Sequence, residues 1–307
     1  MTAELAAGGE SGPVAVLANP TAARGRHRAL LPAVLDRLGA AGRPVRLLTA
    51  HTAAAALAAC HQAVADGAGA LLTVGGDGTV HLALQAVAGT PVGFGPVPAG
   101  TGNDFAERTG FPADPLAAVD VIAGALRAGR STPVDLARIT DAAGATRWYG
   151  AVLAAGFDAI VNERANRLRW PRGPRRYDLA ILVELARLRP RHYTLTLDGI
   201  RHDLAAVLVA VGNCASYGGG MRICPAADPT DGLLDVVVGG PMTRRHLMRI
   251  KPRVYQGSHV TDPLVRSYRA RTVELSADGI IGYADGERVG PLPLTITAVP
   301  AAVRLLR

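Results

Sequence analysis

The sequence contains almost no lysine. Among its 33 basic residues, Lys251 is the only lysine, and the rest are arginines. A Walker-type phosphate loop needs a lysine directly after its glycines, whereas Lys251 follows Met248-Arg249-Ile250. The strand lysine and the HRD and DFG segments of protein kinases are missing as well. Both common phosphate-binding designs are therefore excluded.

Cysteine and histidine are too scattered to predict a common metal site. Cys60, Cys214 and Cys224 are far apart and lack the spacing of zinc ligands, so we expect buried small hydrophobic residues. The eight histidines show no HExxH motif and no paired spacing. A catalytic zinc ion is therefore not expected.

Long hydrophobic runs are also missing. Residues 1–12 lack the basic and apolar regions of a signal peptide, and no stretch approaches the roughly 18 apolar residues of a membrane span. We therefore expect a soluble, cytoplasmic protein. The formal net charge of +8 suits anionic lipid or nucleotide phosphate as well as nucleic acid, so no nucleic-acid partner is predicted. The oligomeric state is left open, and a homodimer is compatible with the sequence.

The order of the apolar segments predicts two domains. With 307 residues, 49% of them hydrophobic, the chain can bury a large core. Across residues 13–132, short apolar runs alternate with helical patterns. This predicts a nucleotide-binding α/β domain with a parallel sheet and helices on both faces. Residues 133–299 instead predict a mostly antiparallel, β-rich domain with helical insertions. A last strand at about 300–307 is expected to return to the first domain.

Two glycine-rich turns follow neighbouring strands of the first predicted domain. One is Gly75-Gly76-Asp77-Gly78-Thr79, and the other is Pro98-Ala99-Gly100-Thr101-Gly102-Asn103-Asp104-Phe105. Glycine lets backbone N–H groups approach a phosphate closely, and a following helix adds partial positive charge. The pair predicts a nucleotide phosphate site. In this site Asp77 is a Mg²⁺ ligand through water, and the polar contacts are Thr79, Thr101, Asn103 and Asp104.

A third loop follows the first predicted strand, where open α/β sheets bind ligands. It runs Asn19-Pro20-Thr21-Ala22-Ala23-Arg24-Gly25-Arg26. Its Asn and Thr side chains could hydrogen-bond phosphate, and its arginines could add charge. The alternative is a plain helix-entry turn with solvated arginines, and the residues alone leave both open.

Taken together, these three segments resemble the catalytic domain of diacylglycerol kinases. More broadly they resemble the soluble bacterial lipid kinases that include relatives of sphingosine and ceramide kinases. The GGDGT turn also occurs in NAD kinases and, in related form, in phosphofructokinases, whereas PxGTxNDF is much more specific. The resemblance continues to near the C-terminus through the segments 155–159, 213–225, 231–235 and 285–287.

The resemblance implies an ATP- and Mg²⁺-dependent kinase that phosphorylates a hydroxyl of diacylglycerol or a similar lipid. It implies an ATP site lined by Asn19, Pro20, Thr21, Ala22, Ala23, Thr49, Gly76, Asp77, Gly78, Thr79 and Thr101, beside Gly75, Gly100, Asn103 and Asp104 of the two turns. Asp228 and Asp231 would help to hold Mg²⁺, and Glu287 or Asp285 would be the general base. By pattern alone, Asp285-Gly286 is a hairpin turn and Glu287 a solvated charge.

Two departures from the family pattern keep other functions open. Ala23 stands where a glycine is usual, and His81-Leu82 stand where Asn-Glu often follows the GGDGT turn. They leave open a nucleotide-binding regulatory module without catalysis. The GGDGT turn leaves open an NAD kinase-like or other small-alcohol kinase, and nothing in the sequence specifies the acceptor lipid.

A basic segment in the second predicted domain suggests contact with a membrane. Arg164–Arg176 carries six arginines, at positions 164, 167, 169, 172, 175 and 176, and Trp170 lies among them. Basic segments with aromatic residues rest on anionic lipid surfaces, which predicts a peripheral association with the inner face of the membrane. The alternative is a solvated basic loop over an ordinary core helix.

Overall fold

The computed structural model describes residues 12–18, 26–168, 170 and 174–307. The chain divides into two compact units. One is Met1–Leu136 together with Pro300–Arg307, and the other is Ala137–Val299. The predicted division after residue 132 falls inside a strand, Thr132–Asp141, to which both units contribute.

Strands and helices alternate throughout the first unit. Its elements are β1 (Val14–Ala18), α1 (Arg26–Gly39), β2 (Val45–Leu48), α2 (Ala53–Ala65), β3 (Ala70–Gly75), α3 (Asp77–Val87), β4 (Gly93–Pro98), α4 (Asp104–Arg108), α5 (Pro115–Ala128) and the first part of β5 (Thr132–Asp141).

The strands of the first unit form a parallel sheet in the order β2-β1-β3-β4. The last residues of the chain add a parallel strand beside β4, where Arg304 pairs with Gly93. Because these strands run in one direction, their carboxyl ends lie at the same edge of the sheet. The prediction of a parallel α/β sheet is confirmed.

Local signals in the sequence set the helix ends of this unit. Thr52 caps α2 by accepting a hydrogen bond from the Ala55 N–H at 3.1 Å. Asp114 caps α5 in the same way, with Pro115 in the first turn. Gly129 ends α5 in the left-handed conformation at φ 60°. A polar N-cap and a C-terminal glycine satisfy backbone groups that would otherwise lack partners.

The second unit is built mainly from strands. Its elements are the end of β5, β6 (Thr146–Tyr149), β7 (Val152–Gly156), α6 (Phe157–Arg167), α7 (Pro174–Ala186), β8 (Arg191–Leu197), β9 (Ile200–Ala206), β10 (Leu208–Gly212), β11 (Leu234–Gly239), α8 (Arg244–Gln256), a 3₁₀ turn (Ser258–Thr261), β12 (Val265–Ala270), β13 (Thr272–Ser276), β14 (Ile281–Ala284), β15 (Glu287–Pro291) and the first part of β16 (Leu294–Leu305).

Two antiparallel groups of strands enclose the core of this unit. One is a six-stranded sheet in the order β12-β11-β10-β7-β14-β15, and the other follows the order β16-β13-β8-β9. Leu153 and Val236 of the first group share a buried cluster with Leu195 and Ile296 of the second. The predicted β-rich, antiparallel second domain is confirmed.

Two apolar runs of the second unit each contain two strands. The run Trp148–Ala154 is broken at Gly150 and Ala151, whose backbone N–H groups bind a distant carboxylate. The run Leu204–Val211 is broken at Val207, because β9 pairs with β8 whereas β10 pairs with β7 and β11. An apolar pattern does not reveal such changes of partner.

No helix within the described ranges has the length and apolarity to cross a bilayer. All three cysteines are buried free thiols, as predicted. Burial raises the pKa of the Cys60 thiol to about 11.

Candidate active site

The two glycine-rich turns pack directly against each other at the carboxyl edge of the parallel sheet. A Cβ on Gly100 would lie 2.3 Å from the Gly76 Cα, and one on Gly76 would lie 2.6 Å from the Gly102 oxygen. The Ala99 N–H donates to the Gly75 oxygen at 2.9 Å, and the Asp77 N–H donates to the Gly102 oxygen at 3.1 Å. Glycine is therefore required here because two backbones touch.

Asp77 joins the same two turns through its side chain. Its carboxylate accepts hydrogen bonds from the Asp104 and Phe105 N–H groups, each at 3.1 Å, at the start of α4. The sequence pattern predicts that Asp77 is a Mg²⁺ ligand, and it does not predict these contacts with backbone amides. Because each carboxylate oxygen has a further lone pair, the amide contacts leave capacity for a metal or water. The metal role remains a prediction.

The other polar residues of the turns differ in what their side chains do. Asn103 closes its own turn, accepting from the Gly100 N–H at 2.9 Å and donating to the Gly100 oxygen at 3.2 Å. Thr79 and Asp104 are buried. Thr101 is exposed, and its contact with a nucleotide remains a prediction.

The start of α3 supplies the electrostatic part of the site. Gly76 is the N-cap residue, and no side chain caps this helix. The exposed positive end of a helix dipole stabilises an anion such as phosphate. His81, one of the departures from the family pattern, is buried within α3.

The strand order reverses between β1 and β3, and open α/β sheets bind ligands outside such a reversal. The turn at Gly75–Thr79 lies at this position. Thr49 directly follows β2 at the same edge and is exposed. The predicted contacts Asn19, Pro20, Thr21, Ala22 and Ala23 lie outside the described residues.

In the second unit, the Asp-Gly-Glu segment forms a tight hairpin between β14 and β15. Asp285 and Gly286 both have positive φ, 51° and 83°, as a two-residue type I′ turn requires. The Asp285 carboxylate accepts from the Gly150 and Ala151 N–H groups, each at 2.9 Å. Glu287 is exposed and forms no hydrogen bond or ion pair with any described residue. Asp285 therefore anchors the turn, whereas Glu287 is accessible.

Helix α6 holds this hairpin from one face of the sheet. The Glu163 carboxylate accepts from the Tyr283 hydroxyl at 2.8 Å and from Arg288 Nε at 3.1 Å, and it also pairs with Arg167 at 2.7 Å. Burial acts to raise the pKa of Glu163, but the bonds from Tyr283 and Arg288 outweigh it and lower this pKa below its ordinary value. Glu163 is therefore a carboxylate at neutral pH.

A second partly buried acid, Asp158, lies where two family segments meet. Asp158 accepts from the Tyr217 hydroxyl and from the Ala159 N–H. Burial raises the pKa of Asp158 above its ordinary value, and burial likewise raises the pKa of Tyr217. This pair connects the start of α6 to the loop at Gly218–Gly220.

The predicted Mg²⁺ ligands of the second unit already have partners. Asp228 accepts from the Thr230 N–H at 3.0 Å and from its hydroxyl at 2.7 Å. Asp231 pairs with Arg269, which also lies 3.4 Å from Asp235. Among the residues that the structure describes, no group of three or more His, Cys, Asp or Glu could hold a metal. The carboxylate oxygens suit Mg²⁺, but the Arg269 charge opposes a cation, so the ligand set remains a prediction.

A parallel sheet with two joined glycine turns at its carboxyl edge defines a phosphate-binding α/β domain. The model of the "Diacylglycerol kinase catalytic domain" matches residues 13–139. The model of the "YegS C-terminal NAD kinase beta sandwich-like domain" matches residues 151–307.

Similar proteins match along almost the whole chain. A "Diacylglycerol kinase" of Mycobacterium tuberculosis is 44% identical over 303 residues, which covers 97% of this chain and 96% of that protein. One of Staphylococcus carnosus is 26% identical and covers 91% of this chain and 89% of its own. A crystal structure of a putative diacylglycerol kinase from Bacillus anthracis has the same fold, with a TM-score of 0.79, 21% identity and coverage of 99% and 98%. The chain therefore belongs to the diacylglycerol kinase family, and the resemblance is confirmed.

Proposed function

We propose that this protein transfers the γ-phosphoryl group of ATP to a hydroxyl of diacylglycerol or a similar lipid. The observation that carries the proposal is the joined pair of glycine turns beside the start of α3, which no side chain caps. These turns belong to a chain that is 44% identical to a protein named diacylglycerol kinase.

In this proposal ATP binds along the carboxyl edge of the first unit. The phosphates lie at the start of α3, where Gly76 and Gly100 carry no side chains and where the Thr101 hydroxyl is exposed. Thr49 follows β2 at this edge, and Asn19 to Ala23 follow β1 in the sequence. A nucleotide held by backbone amides and a helix dipole does not need the lysine of a Walker-type loop.

Mg²⁺, when bound, supplies positive charge that offsets the developing charge on the phosphates. In the first unit the proposed Mg²⁺ ligand is Asp77, through water; in the second unit the proposed Mg²⁺ ligands are Asp228 and Asp231.

Glu287 is the proposed general base. As the lipid hydroxyl oxygen bonds to the γ-phosphorus, the bond from that phosphorus to ADP breaks and the hydroxyl proton passes to the Glu287 carboxylate. Two features favour Glu287 over Asp285. Glu287 is exposed without a partner among the described residues, whereas both oxygens of Asp285 accept backbone amides.

The protein is also proposed to contact anionic lipid peripherally, at the inner face of the membrane. Two arginines of the predicted segment are engaged in ion pairs, Arg164 with Glu184 and Arg167 with Glu163. Of the other predicted residues, Arg175 is exposed, Trp170 is 77% exposed and Arg176 is partly exposed, whereas Arg169 and Arg172 lie outside the described residues.

The test is a panel of acceptors incubated with radiolabelled ATP. Diacylglycerol, sphingosine, ceramide and monoacylglycerol are presented in mixed micelles, and NAD⁺ is offered in solution. Label is expected in at least one lipid and none in NAD⁺. Labelled NAD⁺ without any labelled lipid would contradict the proposal and favour an NAD kinase-like enzyme. ATP binding with no labelled acceptor would contradict it and favour a nucleotide-binding regulatory module.

A further inference from the structure

Helix α8 of the second unit carries two apolar stripes on opposite sides. The inner stripe consists of Leu247, Ile250 and Val254, which pack into a cluster around Val207 and Met242. The outer stripe, at helical spacing, consists of Met248, Pro252 and Tyr255, and all three are exposed. Met248 is 47% exposed and Tyr255 is 49% exposed. The fold therefore accounts for the inner stripe but not for the outer one.

Cations line both sides of the outer stripe. At 100° per residue, Arg244 and Lys251 project on one side of it, and Arg245 and Arg249 project on the other. All four are exposed, and none forms an ion pair with a described residue. The helix contains no acidic residue.

The basic residues on the inner side of α8 are treated differently. His246 lies 3.0 Å from one oxygen of Asp262, and Arg253 lies 3.3 Å from the other. Asp262 is buried. Asp262 thus pairs with basic residues only on the side of α8 that packs on the unit. The four outer cations have no acidic partner among the described residues.

We propose that the outer face of α8 docks on the surface of an anionic lipid bilayer, with Met248, Pro252 and Tyr255 entering the headgroup region between two rows of cations. This inference rests on the proposed function, because a lipid acceptor is held in a membrane. A helix with a central apolar stripe and basic flanks lies in the plane of the interface. The four cations meet the negative potential of the lipid surface.

Helix α7 of the same unit also exposes apolar side chains. Tyr177 is 39% exposed, and Leu182 is 64% exposed. Exposed apolar side chains suit contact with an apolar phase.

Other occupants fit this face less well. A second copy would bring cations against cations in a chain with a net charge of +8. Nucleic acid would pair with the cations but would leave the apolar stripe in contact with phosphate and water. Both remain outcomes of the experiment.

The experiment is sedimentation of the full chain with phosphatidylcholine vesicles with or without phosphatidylglycerol. The variants are R245Q/R249Q and M248S, and the charge-matched control is R271Q/R304Q, whose arginines are exposed and unpaired among the described residues. Each cation contributes about fivefold to binding at an anionic surface, so R245Q/R249Q is expected to bind about twenty-five-fold more weakly. M248S is expected to bind several-fold more weakly, and the control to bind like the wild type.

A second measurement separates this inference from the proposed function. Phosphorylation of short-chain diacylglycerol in neutral detergent does not need a charged surface, so R245Q/R249Q should retain wild-type turnover there. Wild-type sedimentation by R245Q/R249Q would overturn the inference while leaving the kinase proposal intact. Loss of duplex DNA binding or of self-association, without loss of vesicle binding, would also overturn it. Vesicle binding by a wild type that labels no lipid would contradict the kinase proposal alone.

Discussion

Replacing Gly100 with alanine is expected to separate the two glycine turns. The new Cβ would lie 2.3 Å from the Gly76 Cα and 2.7 Å from the Gly76 nitrogen, whereas ordinary contact begins at 3.4 Å. Both neighbours are backbone atoms, so the turns must move apart by about 1 Å in a close-packed region.

The energetic cost follows from this movement. Inserting a methyl group into a packed region costs about 1–3 kcal/mol, and each of the two backbone–backbone hydrogen bonds between the turns contributes about 0.5–1.5 kcal/mol. The free energy of unfolding should therefore fall by about 2–6 kcal/mol. A displacement of this size should also weaken ATP binding at least tenfold, or about 1.4 kcal/mol.

Urea unfolding and ATP titration measure both effects. The matched control is Gly39→Ala at the end of α1, where an added Cβ meets nothing within 4 Å. This control should leave ATP binding unchanged and alter stability by no more than about 1 kcal/mol, in the stabilising direction. Wild-type stability and ATP affinity in Gly100→Ala would refute the argument that the two turns are one packed unit.

Three further substitutions test individual contacts. Asp77→Ala removes the acceptor of two amides and should lower the free energy of unfolding by about 3 kcal/mol even without Mg²⁺; an effect seen only with Mg²⁺ would contradict this. Glu163→Gln weakens the contact between α6 and Arg288, and it should lower kcat for lipid while leaving KM for ATP unchanged. If kcat and the KM for ATP changed by the same factor, Glu163 would have no positioning role. The raised pKa of Asp158 favours the folded state below the ordinary value of 3.8, and this contribution is lost as pH rises through the folded pKa. The stability of Asp158→Asn, measured by thermal unfolding, should therefore fall less than that of the wild type between pH 4 and neutral pH. A pH profile identical to that of the wild type would show that Asp158 is solvated.

Local sequence predicts the first unit well, because each of its strands is a short apolar run with clear ends. The two glycine-rich turns, which are expected after neighbouring strands, begin at the last residues of the paired strands β3 and β4. The second unit is less predictable, since the break between β6 and β7 depends on Asp285, more than a hundred residues further on. No pattern within 148–154 encodes that contact.

The candidate site is likewise only partly predictable from the sequence. The glycines predict a close approach, but the sequence does not state that Gly100 approaches Gly76 itself. The acidic residues of the family motifs look alike in the sequence. In the structure, Asp77 and Asp285 hold backbone amides, and Glu287 does not. The carboxylates differ in role because their hydrogen-bond partners differ, and those partners are distant in the sequence. The sequence alone therefore does not reveal the roles.

Turnover of lipid by Glu287→Gln is the most direct test of the central claim. The account predicts that the wild type labels lipid from radiolabelled ATP and that Glu287→Gln loses at least about a hundredfold in kcat, the effect of removing a general base. The control Glu274→Gln, at an exposed position of β13, should keep wild-type turnover. Unfolding of Glu287→Gln should match the wild type, whereas Asp285→Asn should be less stable. Wild-type turnover by Glu287→Gln, or no labelled lipid with the wild-type protein, would contradict the account.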